Sequence, residues 1–100
     1  MVTTTAGDRA DLERIARELV DRRLAACVQI EGPILSVYRW QGQVETAHEW
    51  RCTVKTRRSL YAGVERAIAE LHPYETPEIV AIELAGSPSY LAWIDANTDE

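Results

Sequence analysis

A chain of 100 residues with 46% apolar and 27% charged side chains has the size and composition of one globular domain, and is too apolar for an intrinsically disordered segment. Its net charge of −5 opposes long-range attraction to phosphate backbones and anionic membranes, so neither nucleic acid nor membrane is expected as a partner; the short basic cluster Lys55, Arg57 and Arg58 reads as a solvated connection. Residues 1 to 20 carry no apolar signal core with a basic flank, and no run of about 18 apolar residues occurs anywhere, which disfavours secretion and membrane spanning and predicts a cytoplasmic protein with Cys27 and Cys52 as thiols.

Met1 to Thr5 is short and rich in β-branched residues, as a first strand requires, and Gly7-Asp8 then breaks it and offers Asp8 as a helix N-cap. Leu12, Ile15, Ala16, Leu19 and Val20 follow at spacings of three and four, giving one apolar helical face opposite Glu13, Arg14, Arg17 and Asp21. Ala25 to Trp40 and Gln43 to Thr56 are two β-prone runs joined at Gln41-Gly42, which predicts a hairpin. Gly32-Pro33 interrupts the first arm, because proline has no donor for a central ladder, and a bulge or unpaired edge is expected there. In the second arm Trp50, Cys52 and Val54 share one face, with Glu45, Glu49, Arg51 and Lys55 on the other.

A second amphipathic helix is read from about Ser59 to Leu71, with Leu60, Val64, Ile68 and Leu71 aligned and Pro73 preventing its continuation. Ile79 to Ala85 supplies a last core strand. Ser87 then caps a short helix with Pro88 in its first turn and Tyr90, Leu91 and Ile94 along it. The order βαββαβ plus a terminal helix closes most economically as an α+β, ferredoxin-like sandwich on a four-stranded antiparallel sheet. About 13 residues per hairpin arm at roughly 3.3 Å each exceed the width of a globule of this length. The hairpin is therefore expected to overhang, and its exposed edge with Val37, Tyr38 and Trp40 predicts closed self-association.

Three segments, Arg23-Leu24-Ala25-Ala26-Cys27-Val28, Tyr38-Arg39-Trp40-Gln41-Gly42 and His72-Pro73-Tyr74-Glu75-Thr76-Pro77-Glu78-Ile79, carry a family resemblance. Together with Glu49, Lys55-Thr56 and Tyr90-Leu91-Ala92-Trp93-Ile94 they resemble, over nearly the whole chain, the CutA family of divalent cation tolerance proteins. The resemblance implies a ferredoxin-like subunit, a homotrimer built by pairing long hairpins, kinship with trimeric PII signalling proteins, and a role in metal-ion tolerance rather than catalysis. The family usually has a few more strand residues before the segment seen here as Val2-Thr3-Thr4, and some members have a histidine at the position of Leu71. Of three proposed copper ligands this chain then keeps Cys27 and His72.

A thiolate and an imidazole suit Cu(II), Cu(I) or Zn(II), so no obligatory cofactor is expected, but a copper or similar divalent ion is a candidate ligand of Cys27 and His72. Two donors do not complete a closed zinc site, and the strands that follow them run in opposite directions, so a joint site needs a neighbouring subunit. Each donor also has a packing alternative: Cys27 as a small residue buried where helix meets strand, His72 as a helix-terminal residue bonded to the last carbonyls. His48 reads as a mid-strand surface or interface residue. Tyr38, Trp40, Trp50, Tyr74, Tyr90 and Trp93 read as core or interface anchors; the alternative is an intersubunit cleft in which Glu49, Lys55, Tyr90 and Trp93 hold a small molecule, as the PII kinship suggests. No Gly-rich phosphate loop, nucleophile elbow or His-Glu metal motif favours an enzyme.

Overall fold

The computed structural model describes residues 1–99. Strand β1 is Val2–Ala6, helix α1 Arg9–Asp21, β2 Cys27–Trp40, β3 Gln43–Lys55, helix α2 Tyr61–Leu71 behind a 3-10 turn at Arg58–Leu60, β4 Val80–Ala81, and helix α3 Pro88–Ala96. The strands form one antiparallel sheet in the order β2-β3-β1-β4, the ferredoxin-like arrangement expected from the element order.

Local chemistry accounts for most of the boundaries. Asp8 caps α1 by accepting the Ala10 N–H at 2.9 Å, and Ser87 caps α3 by accepting that of Tyr90 at 3.3 Å. Helix α1 ends without a glycine: Arg23 takes φ of 59°, while the Leu24 and Arg23 amides donate back to the carbonyls of Leu19 and Val20, each at 3.0 Å. The cost of a left-handed arginine is offset by its side chain, which bonds Asp99 at 3.0 Å and the Ala96 carbonyl at 3.1 Å, tying this corner to the end of α3. The β2–β3 turn has positive φ at both Gln41 and Gly42, as a two-residue hairpin turn matching strand twist requires.

The core lies between one face of the sheet and the two longer helices. Val2, Thr4, Ala6, Cys52 and Val54 from the sheet meet Leu12, Ile15 and Leu19 of α1 and Val64, Ala67 and Ile68 of α2, all buried. Val20, placed on the apolar face by spacing, is exposed, and Leu60 belongs to the 3-10 turn rather than to α2. The last strand is also shorter than the expected Ile79 to Ala85. Its ladder to β1 pairs Val80 with Thr3 and Ala81 with Val2, and two further bonds join Met1 and Ile82 at 2.8 and 3.0 Å. Residues 83–85 then run past the end of β1 and have no ladder to join.

The hairpin overhangs as its length predicts, and the longest dimension of the molecule is 44 Å. β1 pairs with β3 only from Trp50 to Val54, so the stretch Gln43 to Glu49 has β2 on one side and, among the described residues, no strand on the other. The ladder slips between Glu31 and Ile34, where Gly32 and Pro33 face Trp50. Gly32 has φ of +145°, and a Cβ there would come within 3.1 Å of the Glu49 carbonyl, so this bulge admits only glycine. Because β3 continues without irregularity, the slip exchanges the faces of β2. Val28 and Ile30 face the helices, whereas Ile34, Ser36, Tyr38 and Trp40 lie with Glu49 on the opposite, helix-free face.

Thr4 Oγ1 is buried among these apolar groups with no hydrogen-bond partner. Replacing it by a methyl in Thr4→Val removes an unsatisfied hydroxyl and is expected to raise unfolding stability by about 1 kcal/mol in denaturant titrations at fixed protein concentration. A loss of stability of that size would contradict this view of the core.

Candidate functional site

The loop after α2 is held against the helix-free face by His72. Its backbone amide closes the helix on the Ile68 carbonyl at 2.9 Å, and its buried ring leaves the helix altogether. Nδ1 accepts the Tyr74 N–H at 3.0 Å, which requires that Nε2 carry the proton and donate it to the Thr5 carbonyl at 2.7 Å. The ring thus bonds strand β1 and not the last helical carbonyls, as its position at the end of α2 suggested. Both of its nitrogens are engaged in fixing the path of residues 72–74.

Tyr74, placed by that bond, turns its hydroxyl onto Glu49 Oε2 at 2.9 Å. Glu49 is only 8% exposed although it sits in the polar half of the β3 alternation, because Tyr74 covers it. Burial and the bond to Glu49 raise the Tyr74 phenol above its ordinary pKa, so it stays a proton donor at neutral pH. Around the pair opens a cleft of about 710 Å³, bounded by the outer half of β2 with Tyr38 and Trp40, by Thr5, and by the loop 74–78.

The residues singled out from sequence separate into three places. Cys27 opens β2 opposite Lys55, at the far end of the sheet from the Thr5–His72 bond. Four residues along the strands, roughly 13 Å, and two strand spacings, roughly 10 Å, lie between them, so one chain does not bring Cys27 and His72 together. Among the described residues no three His, Cys, Asp or Glu side chains are grouped to hold a metal ion. The donor set of a single chain therefore does not fit a resident metal centre. Lys55 bonds Gln29, six residues along β3 from Glu49, and Tyr90 and Trp93 stack on each other on the surface of α3 with centroids 5.5 Å apart. These four residues likewise do not share a cleft within one chain. Arg57 of the basic cluster donates to the Asp95 carbonyl of α3 and, at 2.9 Å, to the Thr98 hydroxyl just beyond that helix, and is not a free surface charge. Sequence reasoning chose Glu49 but missed its partner; two prolines around a Tyr-Glu-Thr stretch signal a shaped loop, while the carboxylate it reaches lies 25 residues away.

The two cysteines occupy opposite faces, since Cys52 faces the core and Cys27 the helix-free side. Burial pushes the Cys52 thiol up to about 12.

Residues 1–97 match the model of the CutA1 divalent ion tolerance protein family. A divalent-cation tolerance protein CutA of Thermus thermophilus is 45% identical over 85 residues, covering 84% of this chain and 82% of that protein. The protein of the same description from Archaeoglobus fulgidus is 41% identical over 96 residues, covering 95% and 93%. A solved divalent cation tolerance protein of Thermus thermophilus superposes with a TM-score of 0.94 at 40% identity, covering 98% of this chain and 96% of that one. These relatives are named as tolerance proteins and not as enzymes. The expectation of a cytoplasmic location is overturned: the solved Archaeoglobus fulgidus protein, with a TM-score of 0.94 at 39% identity and coverage of 98% and 96%, is described as periplasmic. An Arabidopsis thaliana relative, 35% identical over 99 residues that cover 98% of this chain and 54% of its own length, is chloroplastic. The domain carries no compartment in its composition. No helix among the described residues is long and apolar enough to cross a membrane.

Two measurements follow from this geometry. A phenol with a raised folded pKa favours the folded state fully below the ordinary value of about 10, and loses that contribution as pH rises through the folded value. Wild type is accordingly expected to lose unfolding stability more steeply than Tyr74→Phe above about pH 10; parallel curves would contradict the Glu49–Tyr74 bond. Iodoacetamide at neutral pH should leave Cys52 unmodified until denaturant unfolds the chain, and its modification in the native protein would contradict the buried, protonated thiol.

Proposed function

From the premise that this chain belongs to the CutA1 divalent ion tolerance family, we propose that it acts in divalent-cation tolerance as a closed homotrimer and is not an enzyme. The observation that carries the assembly is the uncovered half of the sheet. Helices cover one face, while the other leaves Val80, Ile82, Tyr38 and Trp40 exposed, and Leu35, Val37 and Val44 stand out on the overhanging hairpin. The free edges among the described residues belong to unlike strands, β2, β4 and the outer half of β3, so an edge of one copy meets an unlike edge of the next. Head-to-tail pairing of that kind closes as a ring when the rotation allows it, and satisfies backbone groups that a lone edge leaves open.

A copper or similar divalent ion, as ligand rather than resident cofactor, is assigned to Cys27 and His72 of different copies, with the His72 ring exchanging one of its two present bonds for the ion. Analytical ultracentrifugation is expected to give three times the 11.3 kDa chain mass, and Val37→Glu to weaken the association at least tenfold. A monomer at micromolar concentration would contradict the assembly. Titration calorimetry of the reduced protein with Cu(II) and Zn(II) is expected to show saturable binding that weakens in Cys27→Ser or His72→Ala. Binding indifferent to both substitutions would remove the ion from these residues.

A further inference from the structure

We propose that Arg9 is a positioning residue for the assembly: with Trp50 it braces the base of the hairpin and sets the angle at which the overhanging half leaves the domain. This role rests on the closed assembly proposed above and concerns what readies each copy for it.

Beyond Trp50 the hairpin is a two-stranded ribbon, because the ladder of β1 to β3 ends at the Ala6–Trp50 pair. Two-stranded ribbons twist more than wider sheets and are marginal on their own, so the direction of this one is fixed at its base. The stretch from Gln43 to Glu49, at about 3.4 Å per residue, makes an arm of roughly 24 Å. A tilt of about 10° at the base moves its tip by roughly 4 Å, nearly one strand spacing. A small error in angle therefore takes the arm out of register with a neighbour.

Three contacts meet at that base. On the helix-free side Tyr74 closes on Glu49 at 2.9 Å. In the bulge Gly32 lies so close to Trp50 that a Cβ would come within 3.0 Å of its ring. On the helix side Arg9 stands over that ring, its guanidinium carbon 5.3 Å from the centroid, while Glu13 holds the guanidinium at 3.1 Å. A cation over an indole face at this distance is attracted by the quadrupole of the ring. Trp50 also packs against the core, so one side chain joins the bulge, the first helix and the domain.

The helix itself does not explain an arginine here. Arg9 is the first residue of α1, where the positive end of the helix dipole disfavours a cation. Its pair with Glu13 runs in the less favourable order, since an acidic residue ahead of a basic one suits the dipole. Local chemistry asks for an acidic or neutral side chain at this position, and the contact with Trp50 is what a cation supplies instead.

The test is sedimentation equilibrium of the full chain with Arg9→Gln, Arg9→Lys, Trp50→Leu and the Arg9→Gln/Trp50→Leu double variant. Arg9→Gln is expected to weaken association at least tenfold, a factor of about two to three per copy compounded over three copies. Arg9→Lys keeps a cation over the ring and should stay within about threefold of wild type. The double variant should lose no more than about the larger single loss, because both substitutions remove one contact. Amide exchange at a concentration where wild type and Arg9→Gln are both assembled should be faster in the variant from Val44 to His48 and unchanged in α1 and β1. The Arg9 side chain is 56% exposed, so Arg9→Gln leaves the fold intact and decides the case if Trp50→Leu does not fold. Equal association of Arg9→Gln and wild type, Arg9→Lys as weak as Arg9→Gln, additive losses in the double variant, or lost protection in α1 would each overturn the role. A wild type that sediments as a monomer would overturn the assembly and the role with it, and is distinguished by appearing without any substitution.

Discussion

Strand β3 is the element on which the rest of the molecule depends. From Arg51 to Val54 it is paired on both sides, by β1 and β2, and its side chains alternate between a helix-covered core and an open face. From Gln43 to Glu49 it is paired on one side only. The base of the hairpin is thus anchored in a domain, and its outer half is held out beyond it. The junction falls at Trp50, where the Gly32-Pro33 bulge faces it and exchanges the faces of β2. One irregularity therefore separates the part of the hairpin that packs in the domain from the part that overhangs it.

That junction also organises the site. Glu49 is the first residue of β3 beyond the β1 ladder, so it has Tyr74 rather than a neighbouring strand as its cover. Tyr74 can reach it because the His72 ring spends both nitrogens on a strand carbonyl and a loop amide. The same economy denies His72 to a metal ion within one chain, unless one of those bonds is given up.

The sequence carried most of the architecture because its signals were local. Asp8 and Ser87 are caps whose partners lie two and three residues away, and the Gln41-Gly42 turn needs only its own dihedrals. Errors arose where a distant partner decides the outcome. Ile79 to Ala85 has the composition of a strand, but its bonds to the neighbouring strand end at the Met1–Ile82 pair. Val20 has the right spacing for the core, yet α1 turns it outward while Leu12, Ile15 and Leu19 complete the packing. Glu49 was legible as a candidate through family resemblance, and its bond to Tyr74 was not, since no periodicity links a strand residue to a loop 25 residues on. Compartment was not legible at all: composition excludes no location among relatives found in a periplasm and a chloroplast.

The central claim is that the overhanging hairpin and the open sheet face are interaction surfaces rather than solvent-facing ones. Amide hydrogen exchange along the outer edge of β2 beyond Pro33 tests it most directly, because those N–H groups have no partner within the chain's own β2–β3 ladder. The account predicts exchange slowed at least about a hundredfold relative to the unstructured chain, with protection that falls on dilution or in Val37→Glu. Rapid exchange along that edge at every protein concentration would contradict it.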